Sequence, residues 1–113
     1  MAPARPRAPT MLPISFEFYP PKTDEQRAQL DRTVRRLQAH APQFMSVTFG
    51  AGGSTLSQTP ETVQRLREDH GIDGVPHLTC VGGSREEIRD LLHHYRALGC
   101  NRIVALRGDL PSG

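Results

Sequence analysis

The stretch Ile14-Ser-Phe-Glu-Phe18 alternates apolar and polar side chains with a period of two, and Pro20-Pro21 follows it almost directly. Successive side chains of a β-strand point to opposite faces, so this alternation predicts a strand with one apolar and one polar face. Ser15 and Glu17 occupy the polar face. The two prolines end the strand because they have no N–H to donate to a neighbouring strand.

Three more short apolar runs follow, each separated from the last by a segment with helical periodicity. The predicted strands are 14–18, 44–49, 75–81 and 102–106, which gives the order β-α-β-α-β-α-β. Strand starts recur at close to thirty residues, and eight such units would come to about 240 residues, the usual size of a (βα)8 barrel. The 113 residues hold about four units, or half of such a barrel.

Apolar residues at helical spacing fill the three segments between the strands. The side chains expected to face inward are Leu30, Val34, Leu37 and Ala41, then Val63 and Leu66, then Ile88, Leu91, Leu92, Tyr95 and Leu98. Capping-box spacing predicts helix starts after Thr23 and Ser84, and Thr59 is expected to be the N-cap of the second helix. Gly71 and Gly99 stand where the second and third helices should end.

Polar side chains on the predicted strands favour a barrel over a doubly wound sheet, which uses βα units of the same length. By alternation, the side chains that share one face are Ser15 and Glu17, Ser46 and Thr48, and His77 and Thr79. A central parallel sheet covered by helices on both faces would be apolar throughout. We therefore predict an α/β fold that forms the first four units of a (βα)8 TIM barrel, with these side chains lining its lumen.

The domain is expected to span residues 13–113, after a Pro- and Ala-rich leader over residues 1–12 that we expect to be disordered and that lacks the apolar stretch of a secretory signal. A half barrel would leave its first and last strands as bare edges. We therefore expect either the amino-terminal half of a longer barrel or a non-catalytic half-barrel subunit that pairs with a complementary piece. A third possibility is a small phosphate- or nucleotide-binding module that uses the loop Gly50-Ala-Gly-Gly-Ser54, although this loop lacks both the Walker lysine and the GxGxxG spacing.

Composition argues against several classes of function. The net charge of +2 comes from Arg5 and Arg7 in the leader, because the remaining 12 basic residues equal the 12 acidic ones. This balance gives no support for a nucleic-acid partner, and no apolar run approaches the roughly 18 residues that a membrane helix needs. Cys80 and Cys100 lack metal-ligand spacing and are expected to be buried free thiols, which favours a cytoplasmic protein.

Three residues on the predicted strand ends could carry chemistry. Glu17 is an acid near a strand's carboxyl end, where barrel active sites form, and its aromatic neighbours predict shielding from water that suits a general acid. His77 could hydrogen-bond a ring ligand, and Asp109 follows Arg107-Gly108 directly after the last strand. The alternatives are an ion-paired strand glutamate, a core histidine and a turn aspartate. Adjacent His93 and His94 are expected on the surface, and no metal site is predicted.

Four segments together resemble the methylenetetrahydrofolate reductase family, in the family's order and on its strands. They are Ser15-Phe-Glu-Phe-Tyr-Pro-Pro-Lys-Thr23, Ser46-Val-Thr-Phe-Gly-Ala51, Pro76-His-Leu-Thr-Cys80 and Ile103-Val-Ala-Leu-Arg-Gly-Asp-Leu-Pro111. Gly52-Gly53 departs from many bacterial members, which have a polar residue after the Gly-Ala pair.

The resemblance implies a barrel that binds FAD at the carboxyl ends of its strands, is reduced by NADH or NADPH, and passes hydride to 5,10-methylenetetrahydrofolate. It implies that Glu17 is catalytic, as the general acid that opens the substrate's five-membered ring, and that Asp109 binds both the pterin and the flavin. The other cofactor contacts that it implies are Thr48, Phe49, Ala51, His77, Arg107 and Gly108. Family members are usually homo-oligomeric. Because later strands supply most contacts to the FAD phosphates and adenosine, the 113-residue chain is expected neither to hold FAD tightly nor to turn over.

Overall fold

The computed structural model describes residues 12–49 and 58–108, and in them the predicted alternation of strands and helices is confirmed. The elements are β1 (Ser15–Phe18), α1 (Asp24–Gln38), β2 (Phe44–Val47), α2 (Gln58–His70), β3 (Gly74–Thr79), α3 (Arg85–Ala97) and β4 (Val104–Leu106). All neighbouring strands pair in parallel, in the order β1-β2-β3-β4. Doubly wound sheets reverse their strand order at a switch point, whereas a barrel adds each strand beside its predecessor. The described strands follow the second pattern.

One apolar core joins the three helices to a single face of this sheet. Its buried members are Leu30, Val34, Met45, Val47, Val63, Leu66 and Tyr95, and Phe16 and Phe18 of β1 pack against them half-buried. Each helix therefore covers the sheet from the same side. The opposite face is left to the alternate strand positions, which include Glu17, Ser46 and His77.

Local capping explains where the first and third helices begin. The Thr23 side chain accepts a hydrogen bond from the Gln26 N–H at 3.1 Å, and Ser84 accepts one from the Glu87 N–H at 3.1 Å, which satisfies amides that have no partner within the helix. Gly99 follows α3 with a φ of 91°, the left-handed conformation that favours glycine. These sequence predictions are confirmed.

The second helix differs from its prediction. It begins at Gln58, so Thr59 lies inside its first turn and is not the N-cap. The Thr59 hydroxyl instead donates a hydrogen bond to the Thr48 carbonyl at 2.9 Å and ties the helix to the end of β2. A contact of this kind depends on how strand and helix meet in space, which a capping pattern does not contain.

Two residues expected in the core are not part of it. The first helix ends at Gln38, and Ala41 has a φ of 49° outside it, directly before Pro42. Leu92 is exposed because the buried stripe of α3 is centred on Tyr95 and half-buried Leu91, and the next residue along a helix is turned by about 100°.

The two cysteines also differ from the expectation that both are buried. Cys80 is exposed because β3 already ends at Thr79. Cys100 is half-buried with its sulfur 3.6 Å from the Gly74 carbonyl oxygen, and burial raises the pKa of its thiol.

In residues 12–49 and 58–108 no helix combines the length and the apolar character required to cross a bilayer.

A charged cluster joins α1 to α2. The Asp31 carboxylate accepts hydrogen bonds from Arg65 Nε at 3.1 Å and Nη2 at 3.3 Å, and His70 Nε2 lies 2.8 Å from it. Burial, the largest single effect, raises the pKa of Asp31, but the hydrogen bonds from His70 and Arg65 together outweigh it and hold this pKa below its ordinary value. The ionised carboxylate is therefore the form that the fold prefers.

We expect Asp31→Asn to lower the free energy of unfolding at neutral pH by about 1–2 kcal/mol, because charge-assisted hydrogen bonds to both partners are lost. When folding lowers the pKa of a carboxyl, the ionised carboxyl stabilises the fold at pH values above its unfolded pKa of 3.8. This stabilisation is lost as the pH falls through the lower pKa of the folded state. The difference between wild type and variant in urea unfolding should therefore shrink in acid. Asp24→Asn is the control, since that exposed carboxylate pairs with Arg27 at the surface and its loss should cost little. Equal losses for both variants would contradict the prediction.

Candidate active site

Three polar side chains from three consecutive strands meet on the sheet face that the helices leave uncovered. Glu17 of β1 is in register with Ser46 of β2, and His77 lies two residues beyond the β3 partner of Ser46. His77 Nε2 is 3.0 Å from Ser46 Oγ and 3.3 Å from Glu17 Oε1. The predicted placement of Glu17 and His77 on one face is confirmed, and the structure brings them into contact.

The environment of the carboxyl differs from the prediction. The side chain of Glu17 is 61% exposed, whereas that of His77 is 7% exposed. The aromatic neighbours of Glu17 in the sequence, Phe16 and Phe18, lie on the opposite face against the helical core and do not shield it. Adjacent strand residues point away from each other, so closeness in sequence was the wrong guide to shielding.

The pairing restricts where protons can sit. An ionised carboxylate only accepts hydrogen bonds, so His77 Nε2 carries the hydrogen when it meets ionised Glu17. An exposed carboxyl beside a buried imidazole can exchange a proton with a ligand on its open side. This arrangement can serve acid–base chemistry.

Thr48 lies one residue past the end of β2 and is held there by its backbone. Its N–H donates to the Phe18 carbonyl at 2.9 Å, and its own carbonyl accepts from Thr59. Its hydroxyl oxygen is buried and has no hydrogen-bond partner among the residues that the structure describes. Buried hydroxyls are nearly always paired, so this one is available to a ligand. Phe49, the next residue, is half-buried.

The end of β4 is packed against the end of β3. The Thr79 hydroxyl donates to the Arg107 carbonyl at 3.4 Å, and Gly108 has a φ of 81°. A Cβ on Gly108 would collide with the Thr79 side chain and lie 2.9 Å from Val81 Cγ2, so only glycine fits there. Contacts within the chain itself therefore require the glycine at position 108. The side chain of Arg107 is exposed.

Other predicted site residues lie outside the described part of the chain. Ala51, the loop Gly50-Ala-Gly-Gly-Ser54 and Asp109 all fall in this group. His93 and His94 are exposed on α3, as expected. Ser46 is the contact that sequence reasoning missed: it was placed on the polar face, but only the strand register reveals that it meets His77.

The family model described as Methylenetetrahydrofolate reductase matches residues 6–113 of this chain. The chain belongs to the methylenetetrahydrofolate reductase family. Its resemblance to that family in four strand segments is thereby confirmed over nearly the whole length of the sequence.

Curated reductases are about 40% identical to this chain over the aligned residues. The 5,10-methylenetetrahydrofolate reductase of Salmonella typhimurium is 41% identical over 100 residues, which cover 88% of this chain and 34% of the relative. The Escherichia coli protein of the same name is 39% identical over 100 residues. A probable methylenetetrahydrofolate reductase (NADH) of Oryza sativa is 40% identical, and the match covers 17% of it. The chain thus spans about a third of the length of the bacterial reductases it matches.

Proposed function

We propose that the protein to which this chain contributes reduces 5,10-methylenetetrahydrofolate to 5-methyltetrahydrofolate with NADH or NADPH, and that it supplies the methyl donor for methionine biosynthesis in the cytoplasm. The observation that carries the proposal is the 3.3 Å contact between Glu17 Oε1 and His77 Nε2 on the open face of the sheet. This contact lies near the carboxyl ends of parallel strands, where barrel enzymes place their catalytic groups. The consecutive strand order supports a (βα)8 barrel of which these are the first four units.

The described residues fit a flavin. The unpaired, buried Thr48 hydroxyl offers a hydrogen bond at the end of β2, and His77 presents an imidazole on the neighbouring strand β3. Thr48, Phe49, His77, Arg107 and Gly108 would hold FAD, and Ala51 and Asp109 complete the proposed set from outside the described residues. When bound, FAD supplies a carrier for the electron pair that passes from NAD(P)H to the folate.

Glu17 has the central role in the proposed reaction. Its exposed carboxyl would donate a proton to the nitrogen that leaves when the five-membered ring of the substrate opens, which produces an electrophilic one-carbon unit. His77, buried beside it, lies 3.3 Å from one carboxyl oxygen and leaves the rest of the carboxyl open to the substrate. Asp109 would bind the pterin ring.

Two other functions remain as competitors. A phosphate-binding module would rely on the loop that follows β2, and a non-catalytic subunit would rely on pairing of the open sheet edges. Neither accounts for the carboxyl–imidazole contact on the polar face, and family membership favours the reductase over both.

The test uses the longest natural polypeptide that carries this segment, purified with FAD. We expect oxidation of NADH or NADPH that depends on 5,10-methylenetetrahydrofolate and yields one 5-methyltetrahydrofolate for each nucleotide oxidised, as measured by absorbance and chromatography. The 113-residue chain alone should not bind FAD stoichiometrically in a spectroscopic titration. A flavin-free protein that binds inorganic phosphate through the loop after β2 would refute the proposal.

A further inference from the structure

The innermost contact of the candidate site is made by a residue with no assigned role. Ser46 is 5% exposed, and its hydroxyl oxygen lies 3.0 Å from His77 Nε2, closer than the 3.3 Å that separates this nitrogen from Glu17. Among the described residues, both polar contacts of the imidazole therefore involve the same ring nitrogen, Nε2. With the hydrogen on Nε2, the tautomer that ionised Glu17 favours, this N–H has the Ser46 hydroxyl as its hydrogen-bond acceptor and the Glu17 carboxylate as a nearby ion-pair partner.

We infer that Ser46 is a positioning residue that holds the His77 ring in place while Glu17 changes partner. This inference rests on the proposed function and adds to it a residue that acts only through another. An N–H that is buried and unpaired loses the full benefit of its former hydrogen bond to water. If Glu17 were the sole acceptor, each movement of its carboxyl toward the substrate would leave the His77 N–H in that state.

Ser46 removes this penalty because its hydroxyl can both accept and donate. When Glu17 is ionised, the Nε2–H bonds to Ser46 and the carboxylate lies 3.3 Å from the same nitrogen. When Glu17 is protonated or has turned toward a ligand, Ser46 keeps the hydrogen bond to Nε2. The imidazole therefore keeps its position, and the Glu17 carboxyl can return to it. The carboxyl is thus free to transfer a proton at no cost in buried hydrogen bonds.

The three groups differ in burial, and this difference supports a fixed part and a mobile part of the site. His77 and Ser46 are buried, and Glu17 is largely open to solvent on the same face. The fixed part of the site is therefore the Ser46–His77 pair, which sits on the two inner strands, and the mobile part is the carboxyl on β1. Parallel pairing of β2 with β3 sets the geometry of the fixed pair.

The decisive variants are Ser46→Ala, which removes the hydroxyl, and Ser46→Thr, which keeps it. In the full-length flavoprotein we expect Ser46→Ala to slow the folate-dependent half-reaction about tenfold and to leave flavin reduction by NAD(P)H within about twofold, because only the former needs the proton of Glu17. Ser46→Thr should recover most of the lost rate. Thr62→Val is the matched control, since it removes another buried hydroxyl, one that bonds the Gln58 carbonyl on α2.

A second measurement needs neither flavin nor folate. Exchange of the His77 ring N–H with solvent, followed by NMR on protein with ¹⁵N-labelled histidine, should become about tenfold faster in Ser46→Ala and remain unchanged in Thr62→Val. If Ser46→Ala does not fold, Ser46→Cys keeps its volume with a much weaker hydrogen-bonding group and takes its place.

The two measurements separate the inference from the proposed function. Equal slowing of both half-reactions, or unchanged exchange of the His77 N–H, would overturn the role of Ser46. A wild-type protein that does not reduce methylenetetrahydrofolate would sink the proposed function, while faster exchange in Ser46→Ala would still support the holding of His77 by Ser46.

Discussion

Glu17→Gln is expected to slow folate reduction by about two to four orders of magnitude, the usual contribution of a general acid. Glutamine matches the shape of glutamate and can still meet His77 through its amide, but it has no acidic proton to give. Flavin reduction by NAD(P)H requires no proton from this side chain and should stay within about threefold of the wild-type rate. The variant should therefore accumulate reduced flavin in the presence of folate.

Stopped-flow absorbance of the flavin measures both half-reactions separately in the full-length protein. Glu25→Gln is the matched control, because it removes an exposed carboxyl in the first turn of α1 and should change neither rate. If the rate of the folate half-reaction were the same in Glu17→Gln as in the control, Glu17 would be an ordinary ion-pairing residue. If both half-reactions fell together, the role of Glu17 would lie in holding the flavin.

Much of the fold could be predicted because the signals for it are local. The alternation in β1 and the capping residues Thr23 and Ser84 act within a few residues of themselves, and the structure confirms each of them. The polar face was predictable for the same reason, since alternation marks the polar side of each strand and the polar sides of neighbouring strands share one face of a sheet. Spacing also indicated four βα units, though it left the strand order open.

The contacts that could not be predicted depend on elements that lie far apart in the sequence. Ser46 meets His77 across 31 positions, and Arg65 meets Asp31 across 34. Thr59 left its expected capping role for a bond to Thr48, 11 residues earlier. No periodicity within one element contains these pairings, because each requires the strand register and the helix docking to be known first.

A close contact between elements surrounds Gly74, the first residue of β3. A Cβ there would lie 2.9 Å from the Val63 carbonyl oxygen and 3.2 Å from Leu66 Cβ, so α2 rests directly on the bare backbone of the strand. The nearest atom belongs to a helix backbone, which cannot rotate away as a side chain does. Glycine at this position sets how closely the second helix approaches the sheet.

We expect Gly74→Ala to lower the free energy of unfolding by about 1–3 kcal/mol, the usual cost of overpacking a core. Two effects oppose each other here. The φ of Gly74 lies outside the left-handed region, so alanine suits its backbone and would by itself stabilise the fold by about 0.4–1 kcal/mol through the unfolded chain. The clash with the Val63 carbonyl is the larger effect, since α2, which carries Val63 and Leu66, must move away from β3 to relieve it.

Gly83→Ala isolates that clash. A Cβ on Gly83 would also find an atom close by, at 3.1 Å, but this atom is the Cδ1 at the flexible tip of Ile88, and the φ of Gly83 likewise lies outside the left-handed region. Urea unfolding should therefore show Gly83→Ala close to wild type and Gly74→Ala clearly less stable. Equal midpoints for the two variants would mean that α2 is free to shift, and the packing of Leu66 and Val63 on β3 would then not fix the position of the second helix.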